Sequence, residues 1–163
     1  MPDLLVKLYE LPPLEPFLDV ARQSGIEVRR ALVPEKHVVI DWVETHFSKG
    51  WRSEAEVAFS RSPVSIFIAV KDDACVGFCC YDATLRGFYG PVGVDPALRK
   101  GGIGATLSLT TFHAMRAVGY GYAIIGGAGP VEFYAKICGA TVIPDSQPGV
   151  YRGLLRAPSS AAR

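Results

Sequence analysis

The stretch Val92–Gly104, V-G-V-D-P-A-L-R-K-G-G-I-G, constrains this chain more than any other. A β-branched run ends at Val94. Pro96 then stops a strand, because it has no N–H to give to a ladder. The basic pair Arg99-Lys100 leads into Gly101, Gly102 and Gly104, and an apolar helical pattern starts at once. The order is strand, turn, glycine loop, helix. The first N–H groups of a helix lack intrahelical partners and sit at the positive end of its dipole, so they attract phosphate. Glycines let phosphate oxygens reach the main chain, and Arg99 and Lys100 add charge. The loop reads as a pyrophosphate cradle. The rival reading of Gly102 and Gly104 is close helix–strand packing alone.

Two other phosphate motifs fail. In G-x-G-x-x-G the third glycine is missing, since Leu107 stands there, and G-x-x-x-x-G-K-S/T is absent from the chain. What is present is Arg99-x-x-Gly102-x-Gly104 after Val94-x-Pro96. This resembles the acyl-CoA-binding motif of the GCN5-related N-acetyltransferases, Gln/Arg-x-x-Gly-x-Gly/Ala. A second segment strengthens the resemblance. Gly129-Pro130-Val131-Glu132-Phe133-Tyr134-Ala135-Lys136 follows the apolar run Tyr122–Ile125. The family carries F-Y-x-K on a helix here, then a glycine and a strand.

The resemblance spans Ser65–Arg156 and implies a fold: a single α/β domain, with a mixed, mostly antiparallel sheet and helices on both faces. The expected organisation is an N-terminal extension over 1–24 packed on the domain, the acetyltransferase domain over 25–156, and a flexible tail over 157–163. It also implies a cosubstrate, acetyl-CoA. Val92, Val94, Arg99, Lys100, Gly101, Gly102, Ile103, Gly104 and Gly129 are the residues expected to hold it, with a backbone amide around Val94 polarising the thioester carbonyl. Tyr134 matches the tyrosine that protonates the departing thiolate. A phenol, with a pKa of about 10, is protonated at neutral pH and able to donate. The rival reading is a core aromatic beside Phe133. Adjacent helix positions face about 100° apart, so one ring should look into the core and the other toward the site. One departure stands out. The family places glycine four residues after the tyrosine, whereas Gly139 is fifth, so Cys138 reads as an insertion that should distort the helix end.

The implied reaction moves acetyl to an amine of a small molecule or peptide. An ammonium cannot attack, so a base is needed. The family often keeps a glutamate on the strand that Phe88–Val94 matches, and that segment holds no carboxylate. Asp82, Glu54 and Glu56 are the substitutes, with Asp82 nominated as the catalytic one; for each the alternative is a solvated surface charge. Trp42, Phe47 and Trp51 fall where the family builds its acceptor pocket, or they pack the core. Gly126–Gly129 is either a flexible turn or a gap for pantetheine. His37, His46 and His113 read as ordinary helix residues. A rival function from another class is a non-catalytic acyl-CoA-binding module.

Composition narrows the rest. A chain of 163 residues suits one domain. A net charge of +1 argues against a nucleic-acid partner. No apolar run approaches the roughly 20 residues that span a bilayer. The N-terminus carries Asp3 and Glu10 and has no basic region before an apolar one, so it does not read as a signal peptide. A cytoplasmic protein without a membrane partner is expected. Cys75, Cys79, Cys80 and Cys138 form no C-x-x-C and no zinc-type spacing, so they read as four reduced thiols and no metal site. A hydrophobic fraction of 49% is high for a small monomer and suggests a homodimer.

Periodicity places the remaining elements. Strands are expected at Leu4–Tyr9, Ile26–Leu32, Val64–Val70, Cys75–Asp82, Phe88–Val94, Tyr122–Ile125, Ala140–Ile143 and Val150–Leu155. Helices are expected at Glu15–Gln23, Glu35–Phe47, Pro130–Cys138 and Gly102–Val118, the last with Ile103, Leu107, Ala114 and Val118 on one face. A further helix, Glu54–Ser60, follows from the capping-box pattern of Ser53 and Glu56.

Overall fold

The computed structural model describes residues 1–158. Seven strands form one sheet in the order β2-β3-β4-β5-β6-β1-β7. They are β1 (Leu4–Lys7), β2 (Glu27–Arg30), β3 (Ile66–Lys71), β4 (Ala74–Tyr81), β5 (Phe88–Val94), β6 (Tyr122–Ile125) and β7 (Thr141–Val142). Five helices accompany them: α1 (Glu15–Gln23), α2 (Lys36–His46), α3 (Lys49–Phe59), α4 (Ile103–Ala117) and α5 (Val131–Cys138). Among the described residues only β5 and β6 run parallel; every other pairing is antiparallel. The fold is therefore the mixed, mostly antiparallel α/β domain expected. No helix among the described residues is long and apolar enough to cross a membrane.

Local chemistry explains the central hairpin. β3 and β4 meet at Asp72-Asp73, with φ of 49° and 60°. Two positive φ angles give the turn whose twist matches the strands, and aspartate tolerates that region. Alternation then sorts the β4 side chains. Cys79 and Tyr81 enter the core under α4, while Phe78 and Cys80 enter the core under α2 and α3. Each face of the sheet thus buries its own helical layer. The four cysteines are free, and burial lifts Cys79 to about 12 and Cys75 and Cys138 to about 11. Thiolate is the reactive form. We expect a thiol reagent near neutral pH to titrate four groups in denatured, unreduced protein and to react far more slowly with the native fold. A count of two or none after denaturation would contradict this.

Several expectations change. α3 starts a turn earlier than the Ser53 pattern suggested. Its cap is Ser48, whose Oγ accepts the Trp51 N–H at 3.1 Å, while Ser53 sits inside and donates to the Lys49 carbonyl. The Arg52 guanidinium binds Asp41 and Glu44 at 2.6 and 2.8 Å, tying α3 to α2. The buried face of α4 runs through Leu107, Leu109, Phe112 and Met115, leaving Val118 48% exposed. α5 is not distorted by Cys138. Gly139, at φ 65°, closes it with bonds from its own N–H to Ala135 and from the Ala140 N–H to Tyr134. This is an ordinary glycine cap.

The largest change is at the sheet end. Val150–Leu155 is not a strand. Gly149–Tyr151 is a 3-10 turn, Gly149 and Gly153 have φ of 61° and 73°, and Leu155 is 94% exposed. The place beside β6 belongs to β1, whose Leu4 and Val6 are fully buried. A short strand with two core leucine- or valine-type side chains fits an inner position better than a glycine-punctuated, arginine-bearing segment. Ala157 and Pro158 are exposed and irregular. The rest of the expected tail, 159–163, lies outside the described residues.

Candidate active site

β5 and β6 pair only through Phe88–Ile124 and Tyr89–Ile125. Beyond that, Gly90 has φ 104° and Pro91 has no N–H, so β5 bulges and cannot continue the ladder. The strands diverge. Two cavities occupy the divergence, of about 690 and 350 Å³, and both are lined by Trp51, Tyr89, Gly90, Pro91, Gly126 and Gly127. They form one passage. The larger end also meets Glu54, Thr84 and Tyr151; the smaller end meets Val92, Gly129 and Tyr134.

The glycine run makes room for this. A Cβ on Gly126 would lie 2.6 Å from the Tyr151 hydroxyl and 3.0 Å from the Phe88 ring. The N-terminal segment fixes the run's position. Asp3 accepts the Gly127 N–H at 2.8 Å, and the Pro2 carbonyl accepts the Ala128 N–H at 2.8 Å.

The open edge of β5 carries backbone donors. The Asp95 N–H bonds the Val76 carbonyl of β4 at 2.9 Å. Successive strand residues direct their polar groups to opposite edges, so Val92 and Val94 face the gap. The Val94 carbonyl agrees, since it accepts Arg99 Nε at 3.3 Å on that side. Next comes the loop. Asp95 caps a 3-10 turn over Pro96–Leu98, Lys100 and Gly102 take φ of 73° and 82°, and α4 begins at Ile103. Arg99, Lys100, Gly101 and Gly102 are exposed, and the first turn of α4 holds no acidic side chain. The cradle is therefore open, electropositive and aimed by a helix end, as a diphosphate requires.

Tyr134 is 4% exposed and packs edge-on to Tyr89, with ring centroids 5.7 Å apart. The Tyr89 hydroxyl bonds Ser108 at 2.6 Å. Burial pushes the Tyr134 phenol above its ordinary value, with the Tyr89 hydroxyl as a partial offset. Phe133 lies near the α4 entrance, since a Cβ on Gly104 would come within 3.9 Å of its ring.

The three carboxylates separate clearly. Asp82 lies in a different cavity from Tyr134, between Arg61 and Tyr120. Its side chain accepts the Gly87 N–H at 2.7 Å and the Tyr120 hydroxyl at 2.8 Å, closing the turn into β5. The expectation of a base at Asp82 changes with this placement. Glu56 joins the Arg52 ion network at 3.4 Å. Glu54 alone lines the passage. It accepts the Thr84 hydroxyl, and burial raises its carboxyl above the ordinary value. The aromatics separate too. Trp51 lines the passage, while Trp42 and Phe47 pack around the fully buried Phe78. His113 donates from Nε2 to the Pro12 carbonyl, and His46 stacks on Trp42, both away from the passage. Met1, Thr84 and Tyr151 were not foreseen; they arrive from distant segments.

The sequence profile of the acetyltransferase (GNAT) family matches residues 30–140. The chain belongs to this family. Acetyl-CoA is the acyl donor of GNAT enzymes. No curated protein matches the sequence. Among solved structures, a GCN5-related glucosamine N-acetyltransferase region of a fungal multi-domain GH3 β-N-acetylglucosaminidase superposes with a TM-score of 0.72 at 14% identity, over 87% of this chain and 19% of that one. A GCN5-related N-acetyltransferase from Sphaerobacter thermophilus gives 0.62 at 20% identity, over 87% of this chain and 48% of that one. A GNAT acetyltransferase from Brucella melitensis, solved with acetyl-CoA, gives 0.52 at 20% identity over 68% and 80%. At such identities the likeness is one of fold. The chain spans less than half of the first two GNAT-containing structures.

Proposed function

We propose that this protein transfers acetyl from acetyl-CoA to an amine by direct attack. The observation that carries the reading is the single passage through the β5–β6 gap, with Glu54 toward one end and Tyr134 toward the other. The pyrophosphate would lie on Arg99, Lys100 and the amides of Gly101, Gly102, Ile103 and Gly104. The pantetheine arm would run past Gly129 along the Val92 and Val94 amides, and one of these would bond the thioester carbonyl. Backbone donors aimed at a developing oxyanion are commonly the largest catalytic term. Glu54 takes a proton from the ammonium. The free amine forms the new C–N bond, the C–S bond breaks, the Tyr134 hydroxyl protonates the leaving thiolate, and the proton that the new amide nitrogen sheds restores the Tyr134 hydroxyl. We place the base at Glu54 rather than Asp82 because Asp82 is committed to its turn.

The test is amine-dependent release of free thiol from acetyl-CoA, with the acetylated product weighed by mass spectrometry. Release with at least one amine is expected. Binding of acetyl-CoA without transfer to any amine would favour the non-catalytic module. The cradle has its own test. Gly102 has a positive φ, so a bulky residue there would strain the chain. At Gly104 an added Cβ meets nothing nearer than 3.8 Å. Gly104→Val should fold and weaken acetyl-CoA binding by roughly tenfold or more, by covering the helix-end amides. Calorimetry decides; unchanged affinity removes the loop from the binding site.

A further inference from the structure

The acceptor end of the passage has a one-sided chemistry. Glu54 is its one acidic side chain; among the described residues lining it there is no lysine, arginine or histidine, and Met1, which also lines it, is 73% exposed, so its α-amino group stays in water. Its walls are the rings of Trp51, Tyr89 and Tyr151. Its remaining polar side chains, Thr84 and Gln147, are neutral. Trp51 is held in place by Phe47 and Phe78, with ring centroids 4.9 and 6.0 Å away. The Tyr151 ring lies on the bare backbone of Gly126 and Gly127.

We propose that the acceptor is a monocationic primary amine on a flat apolar body, carrying no carboxylate or phosphate. This rests on the transferase reading above. An acceptor anion would be taken out of water beside Glu54 with no positive side chain opposite, which is costly. A single ammonium finds one carboxylate and aromatic faces that favour a cation. A flat apolar body gains most from ring walls, by area and by ring–ring geometry. A second ammonium finds no second acid. Asp3, the other carboxylate nearby, is buried and already holds the Gly127 N–H.

The experiment uses matched pairs. Tryptamine and phenethylamine are compared with tryptophan and phenylalanine, which differ only by the α-carboxylate. Spermidine and a lysine-containing peptide extend the panel. All are assayed with acetyl-CoA at saturation. The decarboxylated partner should win by about 10²-fold in kcat/KM, mostly through KM, as expected where an unpaired polar group is desolvated. Spermidine and the peptide should be poorer still than tryptamine. Gln147 is exposed on the rim, and Gln147→Arg should raise the tryptophan-to-tryptamine ratio by roughly tenfold, by supplying the missing cation. Transfer that favours tryptophan, spermidine or the peptide would overturn the acceptor class and leave the transferase reading standing. Transfer to no amine, with acetyl-CoA bound, would overturn both.

Discussion

Tyr134→Phe should lower kcat by roughly 10²–10⁴ while leaving acetyl-CoA affinity almost unchanged, the range a positioned general acid supplies. The substitution removes one hydroxyl. The ring stays, and with it the edge-on contact to Tyr89 that fills the core beneath α5. Folding should therefore survive. The raised phenol matters in one direction. It keeps the donor protonated across the physiological range, so no activity is lost to its ionisation there. The measurement pairs kcat with acetyl-CoA affinity. An unchanged kcat, with chemistry shown to limit the rate, would reduce Tyr134 to a packing role.

Glu54→Gln should reduce kcat by a similar factor of roughly 10²–10⁴, because the amide cannot take the ammonium proton. Its signature differs from that of Tyr134→Phe. In the parent protein, kcat/KM should rise with pH through a carboxyl value above the ordinary one, and that limb should vanish in the variant. Stability should move the other way. A carboxyl raised on folding binds more protons in the native state than in the unfolded one. Its contribution is present at low pH and is lost as pH rises through the folded value. At neutral pH the parent carries a half-buried charge held by Thr84, so Glu54→Gln should be no less stable, and more stable if the Thr84 bond survives. A variant that loses both activity and Tm would assign Glu54 to structure instead of catalysis.

The proposed cosubstrate half of the site is legible in the sequence because it is local. The Arg99-x-x-Gly102-x-Gly104 loop, the strand before it and the Tyr134 helix are contiguous runs whose periodicity and glycines report directly on backbone shape. The proposed acceptor half is legible only in part. Glu54 and Trp51 are among the candidates the sequence offers, each beside rivals it cannot separate, whereas Thr84 and Tyr151 come from separate segments and nothing in their own neighbourhoods marks them. Asp82 stands as a substitute base in the sequence because Phe88–Val94 holds no carboxylate. Its real partners, Gly87 and Tyr120, depend on a turn and a distant loop. The last strand was misplaced for a related reason. Val150–Leu155 holds Val150, Tyr151, Leu154 and Leu155, but Gly149 and Gly153 bend it out of an extended path.

The place of β1 beside β6 bears on how the site comes into being. Asp3 and Gly127 are 124 residues apart in the chain, yet their bond anchors the glycine run that floors the passage. Closing so large a loop is entropically slow, and no contact within β1 itself can begin it. Until β6 exists, Leu4–Lys7 is an apolar strand without a partner, the kind of edge that invites wrong pairing. The passage is therefore complete only once the two ends of the domain have met. A chain stopped before β6 lacks Gly126–Gly129 and Tyr134, and with them the chamber itself.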